Sequence, residues 1–268
     1  MTEVYINMAI DLFSIGRFTV HGYGLMIGLG FMLAVLIGCS RAKKMGFNED
    51  HFFNMCVLVL IFGWIGGKIL YVIVEFGDFV RNPLSVLGSG GFVVYGGILS
   101  GILTIYIYCR IRKIDFLNYI DLIVPSVAIN QAMGRIGCFM AGCCYGRETD
   151  SFIGVVFPKG CLAPAGVKLL PTQLFSAAGD LIIFFITIWY ASRKPLKGKV
   201  TALYLLLYSV GRFAIEFLRN DNRGNVGPLS TSQFISIFIA LAAVIFGIFL
   251  NKKGLEPVNA EDLKKDDE

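Results

Sequence analysis

Residues 52–75 read FFNMCVLVLIFGWIGGKILYVIVE. Lys68 is the one charge before Glu75 closes the run. At 1.5 Å per residue a helix of this length reaches roughly 36 Å, more than the roughly 30 Å hydrocarbon core of a bilayer. Similar runs occur at 20–40, 91–109, 116–139, 172–192, 200–218 and 231–250. The expected fold is therefore all-α: a polytopic integral membrane protein with seven transmembrane helices. One domain is expected over residues 1–250, followed by a polar cytoplasmic tail at 251–268. Composition agrees. Apolar residues make up 56% of the 268 and charged residues 16%, with a mean hydropathy of +0.69. This excludes disorder and leaves almost nothing for a separate soluble catalytic domain.

The net charge of +5 would suggest nucleic acid in a soluble protein. Here the basic residues fall mostly in short links, and they report topology instead. The links Arg41–Lys44, Arg110–Lys113 and Arg193–Lys199, with the C-terminal tail, hold 14 Lys and Arg. The alternate links hold six: Arg81, Arg147, Lys159, Lys168, Arg219 and Arg223. The positive-inside rule then places the N-terminus outside and the C-terminus in the cytoplasm. Residues 1–19 show no basic region ahead of a short apolar core, so no secretory signal peptide is expected. The seven cysteines form no CxxC pair, so neither a metal site nor a cofactor is expected. Glycines at GxxxG spacing, such as Gly63/Gly67 and Gly97/Gly101, read as close helix packing.

Ionisable residues within apolar runs mark function by default, because a charge at the bilayer centre costs roughly 2.5–3.5 kcal/mol on insertion scales. Arg135, Arg212, Asp121 and Lys68 stand out. Arg212 has Glu216 one turn away on the same face. Arg135 has no carboxylate at i±3 or i±4 and needs an anion from elsewhere. Phosphate suits its planar fork, and the abundant phosphate of a membrane is a lipid head group. Tyr23 and Tyr95 sit among glycines, where a substrate could approach.

These residues fall in motifs that resemble the prolipoprotein diacylglyceryl transferase family. Residues 134–146, GRIGCFMAGCCYG, are similar to its signature G-R-x-G-N-F-x-N-G-x-x-x-G. Tyr23-Gly24-Leu25, Gly66-Gly67-Lys68, Tyr95-Gly96-Gly97 and Asp121 match in order. Pro171-Thr172-Gln173-Leu174 and the stretch Gly211–Arg219 resemble two later motifs. The chain departs from the pattern where Cys138 and Ala141 replace asparagines, and where Tyr95, Leu170, Phe175 and Ser176 replace His, His, Tyr and Glu.

The resemblance implies transfer of a diacylglyceryl group from phosphatidylglycerol to a lipobox cysteine of a prolipoprotein signal peptide, in the cytoplasmic membrane of a bacterial cell. It implies catalytic roles for Tyr95, Arg135, Arg212 and Tyr23. It implies substrate binding by Arg135, Gly134, Asp121, Glu216, Arg219, Cys138 and Gly146, with Asp121 and Glu216 orienting the arginines. A phospholipid-binding transporter or a non-catalytic lipid-binding relative are the alternatives; release of glycerol phosphate separates both from a transferase.

Overall fold

The computed structural model describes residues 11–15, 18–221, 224–253 and 257. Residues 254–256 and 258–268 of the expected polar tail, with Arg17 and Arg223, lie outside the described residues. The elements, in chain order, begin with β1 (Asp11–Ile15) and β2 (Phe18–His21), an antiparallel pair. Then come α1 (Gly22–Met45), α2 (Glu49–Val74), α3 (Phe76–Arg81), α4 (Pro83–Gly88), α5 (Val94–Arg112) and α6 (Phe116–Ala141). The rest are β3 (Val155–Val156), β4 (Lys168–Leu169), α7 (Thr172–Ser192), α8 (Lys199–Glu216), β5 (Asn225–Val226), β6 (Leu229–Ser230) and α9 (Thr231–Lys252). The protein is mostly helical, and each expected apolar run lies on a helix.

Six of the long helices (α1, α2, α5, α6, α7 and α9) are long and apolar enough to cross a membrane. This makes the chain a multi-pass integral membrane protein. The sequence reading of seven such helices differs at α8. That helix has 18 residues, long enough to span, but three of them are charged. Lys199, Thr201, Tyr204, Tyr208, Ser209, Arg212 and Glu216 dilute its apolar content.

Backbone contacts divide the chain into two compact units, residues 1–37 with 121–257, and residues 38–120 with 258–268. In the second unit α2 crosses α5 on glycine. A Cβ at Gly96 would run into the Gly66 carbonyl, and one at Gly66 into Ser100. This is the close packing that small residues permit in lipid. Asn48 caps α2 by accepting from Asp50 N at 2.9 Å. Lys68 donates to the carbonyls of Ser89 at 2.7 Å and Gly91 at 3.3 Å. Its charge therefore rests on backbone acceptors just past α4 and needs no substrate anion.

In the first unit the link at 142–171 is itself folded. β3 and β4 pair antiparallel, and Phe139, Val155, Phe157, Ala163 and Leu169 form a small apolar core against the end of α6. α9 begins with a capping box between Ser230 and Gln233.

Candidate functional site

The cavity that gathers the candidate arginines lies in the first unit. α6, α7 and α8 line a half-open cavity of about 250 Å³ with Arg135, Ser176, Asp180, Tyr208 and Arg212, beside the apolar Phe175, Ile183, Ile215 and Leu218. The helices bring the two arginines together from positions 77 residues apart. Gly211 and Gly179 also line the cavity, and a Cβ at either would meet nothing within 4 Å. The backbone is therefore accessible at both positions.

The two arginines differ in their engagement. Arg212 donates to Glu216 Oε2 at 2.5 Å and to Ser232 Oγ at 2.6 Å, and the side chains of Arg212 and Glu216 are 11% and 6% exposed. This is the internal pair expected from their i, i+4 spacing. Arg135 makes no hydrogen bond or ion pair with another described residue. Within electrostatic reach it has Tyr208, Cys138, Asp180 and Cys144. Its fork faces the cavity and is available to an anion. Tyr208 stacks on Tyr204 at 5.8 Å and 14°, and Tyr204 is fixed by donating to Gln131 Oε1 at 2.7 Å.

Tyr23 is brought to the same end of α6. The absence of a side chain at Gly137 lets α1 approach, since a Cβ there would lie 3.1 Å from the Tyr23 carbonyl oxygen. Tyr23 stands within electrostatic reach of Arg135 and of Cys138, Cys143 and Cys144. Gly134 has open space where a Cβ would be, whereas one at Gly146 would meet Thr172 and Leu170. Gly146 is thus a packing glycine.

Two expectations need correction. Asp121 does not orient an arginine. It accepts from Gly198 N at 2.7 Å, Thr201 N at 2.8 Å and Thr201 Oγ1 at 2.6 Å, so its carboxylate holds the first turn of α8. Arg135 lies 14 residues further along α6, roughly 21 Å away at helical rise. Arg219 has its fork filled by Asp221, with both contacts at 2.9 Å, and it also bonds Cys144. It is committed to the protein and is not open to substrate. Tyr95 belongs to the second unit, in the first turn of α5, and is 47% exposed.

Asp180 is the residue the sequence reading passed over. It lies within the apolar run of α7, and the rule that picked out Arg135 applies equally to it.

Beside Arg135, at the end of α6, sits a group of three thiols. The sulfur atoms of Cys138, Cys143 and Cys144 lie within 4.8 Å of one another. Hydrogen bonds from the Cys138 and Cys143 thiols, and then the charge of Arg219, pull the Cys144 thiol well below the ordinary cysteine value. The same bonds push the Cys143 thiol up. All seven cysteines are thiols.

Residues 11–249 match the family model described as prolipoprotein diacylglyceryl transferase. The chain is 47% identical over 241 residues to the phosphatidylglycerol–prolipoprotein diacylglyceryl transferase of Clostridium tetani, covering 89% of this chain and 95% of that protein. It is 47% identical over 240 residues to phosphatidylglycerol–prolipoprotein diacylglyceryl transferase 2 of Clostridium perfringens, covering 89% and 94%. With the Clostridioides difficile enzyme of the same name it shares 32% over 257 residues, 95% and 99% of the two chains. A match over nearly the whole length, across a helical membrane protein with paired arginines at one cavity, leaves one assignment: the chain belongs to the prolipoprotein diacylglyceryl transferase family.

Proposed function

We propose that this protein transfers the diacylglyceryl group of phosphatidylglycerol to the lipobox cysteine thiol of prolipoproteins. The observation that carries the reading is the Arg135 fork, uncommitted among the described residues and lining a cavity that it shares with Arg212 and with apolar side chains. The two guanidinium groups suit a phosphate, and the apolar side chains suit the start of acyl chains. The names of the relatives give the same substrates.

The chemistry balances as follows. The acceptor sulfur attacks the glyceryl carbon that bears the phosphate ester. A carbon–sulfur bond forms, the carbon–oxygen bond breaks, and glycerol phosphate leaves with the electron pair. The thiol proton passes to a base or to the leaving group. Negative charge builds on the phosphate oxygens, and pre-placed donors stabilise it. Arg135 holds the phosphate. Arg212, fixed by Glu216 and Ser232, supplies the second cationic wall. Tyr23 lines the acceptor side. Tyr95 stands in sequence where the family has histidine, and its hydroxyl is assigned a part in transfer.

The catalytic domain is assigned to residues 1–250, in the bacterial cytoplasmic membrane, with seven spans, the N-terminus outside and the C-terminus inside. Complementation tests the function: expression in a cell depleted of its own transferase restores lipid-modified lipoproteins. Wild-type protein that reaches the membrane and leaves the precursors unmodified contradicts the reading.

A further inference from the structure

We propose that Cys138, Cys143 and Cys144 form a trithiolate site for a soft divalent cation of the zinc and cadmium class. The last turn of α6 supplies Cys138, and the chain reverses at once to supply the other two. Gly142 and Cys144 take left-handed backbone at φ +70° and +63°, and Cys143 N donates back to Cys138 O at 3.1 Å. Left-handed backbone is disfavoured for a residue with a Cβ. At Cys144 it is held by the start of α7: Gln173 Nε2 donates to Cys143 O at 2.7 Å and Thr172 Oγ1 to Cys144 O at 2.7 Å. The loop is thus fixed before any ligand arrives, with the three sulfurs turned toward one point.

The dimensions fit. Zinc–sulfur bonds of about 2.3 Å in a tetrahedron put sulfurs roughly 3.8 Å apart, and these three lie within 4.8 Å of one another. A small inward turn of the side chains closes the site. Thiolates select soft cations over magnesium or calcium. Binding displaces the thiol protons that remain, and three thiolates with one divalent cation leave one net negative charge on the complex. Arg219, hydrogen-bonded to Cys144, and Arg135, within reach of Cys138 and Cys144, offset that charge. The fourth position is left for water. No CxxC pair marks the site, because a helix end and a left-handed turn, not a CxxC knuckle, bring the sulfurs together.

The site does not depend on the transferase reading, and its test uses neither lipid nor acceptor. Full-length protein, purified in detergent, reduced and stripped of metal, is titrated with cadmium under inert gas. The expected result is a sulfur-to-cadmium charge-transfer absorption that saturates at one equivalent, and retention of one zinc per chain after dialysis against zinc. C138S, C143S and C144S should each weaken binding by more than the roughly 10–100-fold that loss of an outer-shell partner costs. C161S, whose thiol lies outside the triad, should bind as wild type. Folded wild-type protein with no thiolate band at stoichiometric cadmium overturns the proposal, whatever the variants do. Equal binding by folded C138S overturns it as well.

Discussion

Arg135 and Arg212 face one cavity and have opposite standing. Arg212 is half of an ion pair that its own helix provides, and a pair four residues apart can be read from sequence. Arg135 has no such partner, and that too can be read from sequence. What the sequence hides is Asp121, whose partners lie 77 and 80 residues away. It hides Arg219 equally well: Asp221 is only two residues on, but a bidentate clasp depends on how the chain turns after α8. Asp180 was legible and overlooked. Tyr95 stands where the family's pattern has histidine. Tyr95 offers a hydroxyl where the family has an imidazole, and a hydroxyl acts by hydrogen bonding. Tyr95→Phe is expected to keep its abundance in the membrane and lose transfer activity, and Tyr95→His to keep a substantial part of it. The two are compared as transfer to a lipobox peptide; full activity in Tyr95→Phe reduces Tyr95 to a packing residue.

Among the elements, the helices were legible and their junctions were not. Apolar run length determines where helices form, and all seven runs carry one. The glycine spacing in α2 and α5 announced a close crossing, and Gly66 and Gly96 make it. Gly96→Ala should therefore destabilise the protein by about 1–3 kcal/mol, as overpacking does. A lowered midpoint in a detergent melt checks this, and an unchanged midpoint would show that the helices are not in tight contact there. The first turn of α8 needs acceptors for its free N–H groups, and Asp121 supplies them from α6. Asp121→Ala should cost about 0.5–2 kcal/mol of stability, as loss of a helix cap does. The rate per folded molecule should be kept. A collapse in that rate with stability intact would restore Asp121 to the catalytic machinery. The folded link at 142–171 escaped the sequence reading because two-residue strands and a left-handed turn at Cys144 carry no periodic signal.

For the whole molecule, composition alone decided the class, since a chain that is 56% apolar has its solvent chosen for it. Topology rests on the 14-to-6 division of basic residues. Reporter fusions after residues 44, 113 and 196 should report cytoplasm, and those after 85, 155 and 224 the outside. This outcome requires α8 to span despite its polar residues, lowering the cost by pairing Arg212 with Glu216. Reversal at two or more points would contradict the orientation. The central claim is that the uncommitted Arg135 fork holds the phosphate that leaves during transfer. It is tested most directly by reconstituting wild-type protein and Arg135→Lys in vesicles with labelled phosphatidylglycerol and a lipobox peptide. Lysine keeps the charge and removes the fork. The account predicts equimolar thioether and glycerol phosphate from the wild type, and a rate lower by about 10²–10³-fold in Arg135→Lys, the usual loss for one oriented donor at a developing anion. Turnover by Arg135→Lys within about threefold of wild type, far short of that loss, would contradict it.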